Sequence, residues 1–221
     1  APLVHDKMTD NGVRGWWNDI DPTVLIDGDE AWLCWGNGTC FMAKLKSNMI
    51  ELDGEIKVVD VPRFVEGPWL HKHNGIYYLT YAGMGEGREN IAYATAESME
   101  GPWAYQGELT GMAENSFTIH PGIAEFNGQW YLFYHNAVLT IDGIQGAIGR
   151  RSVCVDKLFY NEDGNAMWPK LAVNYTNKTQ FLMRINKGIL DISDDIGYYE
   201  ESINVNNALD VLKKKYKFEE L

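Results

Sequence analysis

Three ionisable residues share one sequence context. Asp21 stands in Ile-Asp-Pro, Glu66 in Val-Glu-Gly-Pro and His120 in Ile-His-Pro-Gly. Each is followed by proline, or by glycine and proline, and each lies about ten residues before an aromatic-rich run that reads as a strand. Taken singly, each has an ordinary explanation. Asp21 before Pro22 suits an Asx-turn, Glu66 before Gly67 and Pro68 suits a surface turn, and His120 could be a satisfied buried histidine. Their shared register argues for something more. A packing core does not choose ionisable side chains at repeated positions, whereas a reactive site does. Two carboxyl groups brought together suit proton transfer, because a nearby negative charge disfavours ionising a carboxylic acid.

The elements that must position these residues come from an internal repeat. Residues 28–36 (GDEAWLCWG), 74–82 (NGIYYLTYA) and 127–135 (NGQWYLFYH) are each a turn followed by an aromatic strand. A further strand precedes each (21–27, 66–74 and 120–127), and two follow it: 40–46 and 55–60, 90–98 and 102–109, 150–158 and 166–172. A period near 40–50 residues with four antiparallel strands per unit is the signature of β-propeller blades. Innermost strands line the channel of a propeller, so equivalent strand starts converge on its axis. The expected fold is therefore all-β, with about three blades.

Both ends depart from the repeat. Residues 1–17 read as the edge of a preceding blade, and 1–172 as a partial propeller domain. Residues 173–221 read as a C-terminal appendage. There Val205, Ala208, Leu209, Leu212 and Tyr216 follow helical spacing, with Asn204 placed to cap and Lys213, Lys214 and Lys215 suited to the far end of the dipole. Such a helix would cover an exposed blade edge.

Composition narrows the function. The net charge of −12 disfavours nucleic acid, whose phosphates demand clustered Lys and Arg. No apolar run reaches membrane-spanning length, so no membrane partner is expected. Cys34, Cys40 and Cys154 show neither disulfide nor zinc spacing. Eight Trp and twelve Tyr fit aromatic strands and, at some positions, sugar stacking. Sequons at Asn37, Asn174 and Asn177 matter only in a secreted eukaryotic protein.

The segments WWNDIDPTVLIDGDEAWLCWGN, FVEGPWLHKHNGIYYLTYA, TIHPGIAEFNGQWYLFYH and RRSVCVDKLFYNEDG resemble glycoside hydrolase family 43 over about residues 12–165. Within it they are most similar to β-xylosidases and α-L-arabinofuranosidases. The resemblance implies a five-bladed propeller that hydrolyses xylan- or arabinan-derived oligosaccharides with inversion, releasing xylose or arabinose. It implies Glu66 as general acid, Asp21 as the carboxylate that raises its pKa, and His120 as the histidine beside a largely water-coordinated calcium ion. Arg151, or its neighbour Arg150, would reach the sugar or the acid pair. Trp16, Trp17 and Phe117 would be rim aromatics.

An inverting glycosidase needs a second carboxylate roughly 6.5–9.5 Å across the bond. The family places that base on the first blade, which would precede residue 1. Asp6 and Asp10 lack its strand context. The sequence thus reads as lacking the N-terminal blades and the base. An open arc of blades would favour self-association or a complementary N-terminal chain. The competing reading is a carbohydrate-binding propeller fragment that does not hydrolyse, or one half of a two-chain enzyme.

Overall fold

The computed structural model describes residues 2–5, 7–9, 18–139, 151–161, 164 and 166–167. These lie in a compact unit, Ala1–Met167. They form strands and turns, and no helix occurs among the described residues, so none is long and apolar enough to cross a membrane. The helix expected near residues 204–216, and the whole 173–221 appendage, lie outside the described residues.

Among the described residues, twelve strands make three four-stranded sheets. Sheet I is β1 (Thr23–Asp27), β2 (Glu30–Trp35), β3 (Cys40–Leu45) and β4 (Lys57–Val59). Sheet II is β5 (Phe64–His73), β6 (Ile76–Met84), β7 (Glu89–Ala96) and β8 (Ala104–Thr110). Sheet III is β9 (Gly122–Phe126), β10 (Gln129–Asn136), β11 (Ser152–Tyr160) and β12 (Ala166–Met167). Each is an antiparallel meander in chain order. Two-residue loops close the first hairpin of each sheet, with Asp27 paired to Glu30, His73 to Ile76 and Phe126 to Gln129. Asn74-Gly75 and Asn127-Gly128 are the loop pairs that turn chemistry favours there.

The prolines decide where the first strands begin. The sequence reading starts them at Asp21, Glu66 and His120. In the structure β1 starts at Thr23 and β9 at Gly122, because Pro22 and Pro121 have no N–H to give a ladder. In sheet II the strand starts earlier, at Phe64, and Glu66 lies within it. The register slips between Phe64 and Glu66 and again between Glu66 and Trp69, so Pro68 falls in a bulge.

Sheet II sits centrally. Its β5 lies against β1 and β2 on one side and β9 on the other. Trp32, Cys34, Cys40 and Met42 of sheet I pack with Leu70, Leu79, Tyr81 and Ala92 of sheet II. The opposite face of sheet I buries Ala31, Leu33, Trp35 and Phe41, with Leu3 and Val4 packed on it. Both faces of β2 and β3 are therefore covered, which explains their nearly unbroken apolar sequence. Among the described part of 1–17 no strand occurs. Sheets II and III are tied by Trp69, whose indole N–H donates to Ile123 O at 2.9 Å. A hydrogen bond of 2.7 Å between His71 Nε2 and the Tyr160 hydroxyl joins the same two sheets. The outer face of sheet III leaves Phe126, Phe133 and Val153 exposed.

Candidate functional site

Asp21, Glu66 and His120 come together, Glu66 from β5 of sheet II and the other two from just ahead of β1 and β9. Their ligand atoms all lie within 4.8 Å of one another. His120 Nε2 is 2.8 Å from Glu66 Oε1 and 3.9 Å from Asp21 Oδ2. All three side chains are largely enclosed, Glu66 most of all at 14% exposure. The separate explanations for these residues thus give way to one cluster. Glu66 is no surface turn, and Asp21 Oδ2 is buried without a hydrogen-bond partner.

Local backbone chemistry builds the cluster. Asp21 adopts a left-handed conformation, with φ of 56°, ahead of Pro22, a region that Asp tolerates better than most residues. The loop after β2 links its neighbours. Gly36 N donates to Ile20 O at 3.0 Å, and Gly38 N to Val65 O at 2.6 Å. A Cβ on Gly36 would stand 2.0 Å from Thr39 O, so only glycine closes this loop. Between those glycines, Asn37 Nδ2 donates to Glu66 Oε2 at 2.9 Å. Gly67, in the bulge, has φ of +59°, and a Cβ there would lie 3.1 Å from the His120 ring. The bulge thus aims Glu66 inward while leaving room for the imidazole.

The electrostatics differ from the sequence expectation in one respect. Glu66 was expected to be held protonated by Asp21. Instead its carboxyl is pulled below the usual range, chiefly by the His120 hydrogen bond, with the charges of His120 and Arg151 and the Asn37 amide adding to it against burial. His120 is raised in turn, first by its hydrogen bond to Glu66 and then by the charges of Asp21 and Glu66. In this arrangement Asp21 acts on the imidazole, and Glu66 and His120 form an ion pair.

Arg151 stands just before β11, and its positive charge reaches Glu66, Glu89, His120 and His135. Phe117 is 57% exposed, with the Arg88 guanidinium 5.8 Å from its ring centre. Trp16, Trp17 and Arg150 lie outside the described residues.

Three participants were not legible as such in the sequence. Asn37 looked like a sequon. His135, whose ring centre is 5.9 Å from that of His120, looked like the end of an aromatic strand. Burial pulls His135 down to about 4, so it stays neutral beside the pair. Glu89 looked like a polar residue ahead of a strand, yet it is 8% exposed. Its position before the unbroken apolar run of residues 91–94 was the available signal.

As a cation site, the cluster offers two carboxylate oxygens and one imidazole nitrogen. The unpartnered Asp21 Oδ2 is an open acceptor for such an ion. Calcium takes six to eight oxygens, so these residues fit it only with water supplying most of the shell.

Three successive β-meanders thus bring one ionisable group each to a common point, a candidate catalytic or binding site on an all-β scaffold. Residues 5–166 match glycosyl hydrolases family 43, and the chain belongs to that family. A xylosidase/arabinosidase of Bacteroides ovatus is 39% identical over an alignment of 159 positions that covers 66% of this chain and 45% of that protein. An α-L-arabinofuranosidase of Clostridium thermocellum is similar in structure, with a TM-score of 0.61 and 28% identity over 75% of this chain and 57% of that one. A family 43 β-xylosidase/α-arabinofuranosidase from a compost metagenome, solved with xylotriose in a calcium-free form, gives a TM-score of 0.59 and 26% identity over 67% of this chain and 57% of that one. The chain spans about half the length of these proteins.

Proposed function

We propose that this chain is part of an inverting glycoside hydrolase that releases xylose or arabinose from xylan- or arabinoxylan-derived oligosaccharides. The observation that carries the reading is the meeting of Asp21, Glu66 and His120 from three sheets within the family match. The three sheets are consecutive blades of a five-bladed propeller, and residues 173–221 are a separate appendage. Glu66 is the general acid that protonates the departing oxygen, Asp21 orients it and tunes its pKa, and Arg151 reaches the sugar or the acid pair. Phe117 and Trp17 flank the entrance. The general base lies in a part of the enzyme beyond this chain, consistent with its covering 45% of the Bacteroides ovatus protein.

A general acid must carry a proton, and the ion pair with His120 opposes that. Displacing His120 from Glu66 removes the largest influence holding the carboxyl down. Burial then pushes it up, and the nearby Asp21 carboxylate would act in the same sense. We assign His120 to a calcium ion, with Asp21 Oδ2 as the open acceptor nearby. When bound, the ion would supply a fixed positive charge and ordered water beneath the sugar.

The test is release of nitrophenol from aryl β-xyloside and aryl α-arabinofuranoside, with Glu66→Gln as control. Turnover by this chain joined to the base-bearing part of the enzyme, abolished by that substitution, supports the reading, and no turnover by that complete enzyme at any pH overturns it. The exposed Phe126, Phe133 and Val153 favour a second reading, in which another chain completes the enzyme. Calorimetry that detects xylo-oligosaccharide binding without hydrolysis would favour that reading or a purely binding fragment.

A further inference from the structure

Glu89 opens β7 and is buried, although a glutamate is almost never buried without a specific partner. Its Oε2 accepts the backbone N–H of Ile119 at 3.1 Å. Its own backbone N–H donates to Phe117 O at 3.3 Å. Sheet II thereby grips residues 117 and 119, and the next residue is His120. Ile119 is 1% exposed, so its N–H has no water to turn to. Sheet III holds the same stretch from the other side, through the 3.2 Å contact between Thr118 Oγ1 and His135 Nε2.

Keeping a carboxylate here is costly. Burial raises its pKa, and the charge of Glu66 acts in the same direction. The gain is an acceptor for a buried backbone amide, whose hydrogen bond would otherwise be lost. That bond fixes the residue beside the imidazole across the junction of two sheets.

We propose that Glu89 is a positioning residue, which sets His120 against Glu66 by holding the Ile119 amide. Its consequence for sugar chemistry rests on the function proposed above, but the positioning does not. The test therefore reads no turnover. The 221-residue chain is labelled with nitrogen-15, held in chelated buffer so that no cation competes for His120, and the His120 imidazole resonances are assigned by their loss in His120→Asn. The hydrogen-bonded Nε2–H signal should be present in the unsubstituted chain and retained in Glu89→Gln, which keeps an acceptor for Ile119. It should be lost in folded Glu89→Leu, which does not.

Retention of the signal in Glu89→Leu, with only a lowered melting temperature, would show that Glu89 is merely structural and overturn the proposal. Loss in Glu89→Gln, or absence from the unsubstituted chain, would overturn it as well. Where Glu89→Leu does not fold, Glu89→Asp decides. Its carboxylate is one methylene short of Ile119, so loss of the signal supports the proposal and retention overturns it.

Discussion

His120 Nε2 and Glu66 Oε1 stand 2.8 Å apart although Glu66 lies in β5 of sheet II and His120 just ahead of β9 of sheet III. The contact is an ion pair that is largely enclosed, and its strength depends on pH in both directions. Glu66 is depressed, so its contribution is present above the unfolded carboxyl pKa and lost as pH falls through the lower folded value. His120 is raised above 6.5, so its contribution is full below that value and lost as pH rises through the folded pKa. In chelated buffer, the pair's own contribution to thermal stability should therefore be greatest from mildly acidic pH to near neutrality and fall on the alkaline side. Glu66→Gln should flatten the alkaline limb and cost about 1.5–3 kcal/mol at pH 6, the range for a hydrogen bond to a charged group. Melting curves of both proteins across pH 4 to about 9, spanning the ordinary Glu and His values, check this.

Asn37 donates to the other oxygen of Glu66. Asn37→Ala removes one donor from a partly buried carboxylate and should raise the Glu66 pKa while costing roughly 1 kcal/mol. Asn37→Asp places a like charge at the same distance and should raise it further. Carbon-13 titration of the Glu66 carboxyl measures both shifts, and the expected order is Asp above Ala above Asn.

Gly67→Ala tests the bulge. The left-handed φ alone costs an alanine about 1–2 kcal/mol. The added Cβ would also press on the His120 ring, 3.1 Å away. Chemical denaturation should show that loss or more, and the His120 resonance should move in the folded variant. An unchanged resonance would mean that the ring has free space on that side.

His71 supplies the acid limit. It is buried, and desolvation, with a smaller effect from His73, pulls it down to about 3. An unfolded chain protonates this histidine near 6.5, so stability should fall below that pH, at up to about 1.4 kcal/mol per pH unit, until about 3. Replacing His71 and its partner Tyr160 together by Phe removes the titrating group without stranding a hydroxyl. The double variant should lose stability more slowly on acidification than the unsubstituted chain, as urea midpoints at pH 7, 5 and 4 would show.

The strands were legible because aromatic alternation and Asn-Gly loops are local signals. The hairpin at Asn74-Gly75 sits where the sequence put it. The offset of strand starts at Pro22 and Pro121 follows from proline's missing donor, which the repeat alone did not weigh. Of the site, Asp21, Glu66 and His120 were visible through their shared register. The ion pair between Glu66 and His120 was not, because register gives position around a common point but not which side chain turns toward which. Glu89 and Asn37 were hidden for a similar reason. Glu89 holds a backbone amide thirty residues away, and Asn37 a carboxylate twenty-nine away.

Each member of the cluster is carried by a different sheet, and this makes the cluster a gauge of assembly. A loosened hairpin inside one sheet would leave the other two groups together. A slip between sheets, even one that preserved every strand, would part all three. The His120–Glu66 contact should therefore vanish at the same denaturant concentration as the Trp69–Ile123 tie between sheets II and III, ahead of the loss of strand structure if the two ever separate. The Asp21–Glu66–His120 cluster is in that sense a property of how its sheets meet, and only secondarily of any one of them.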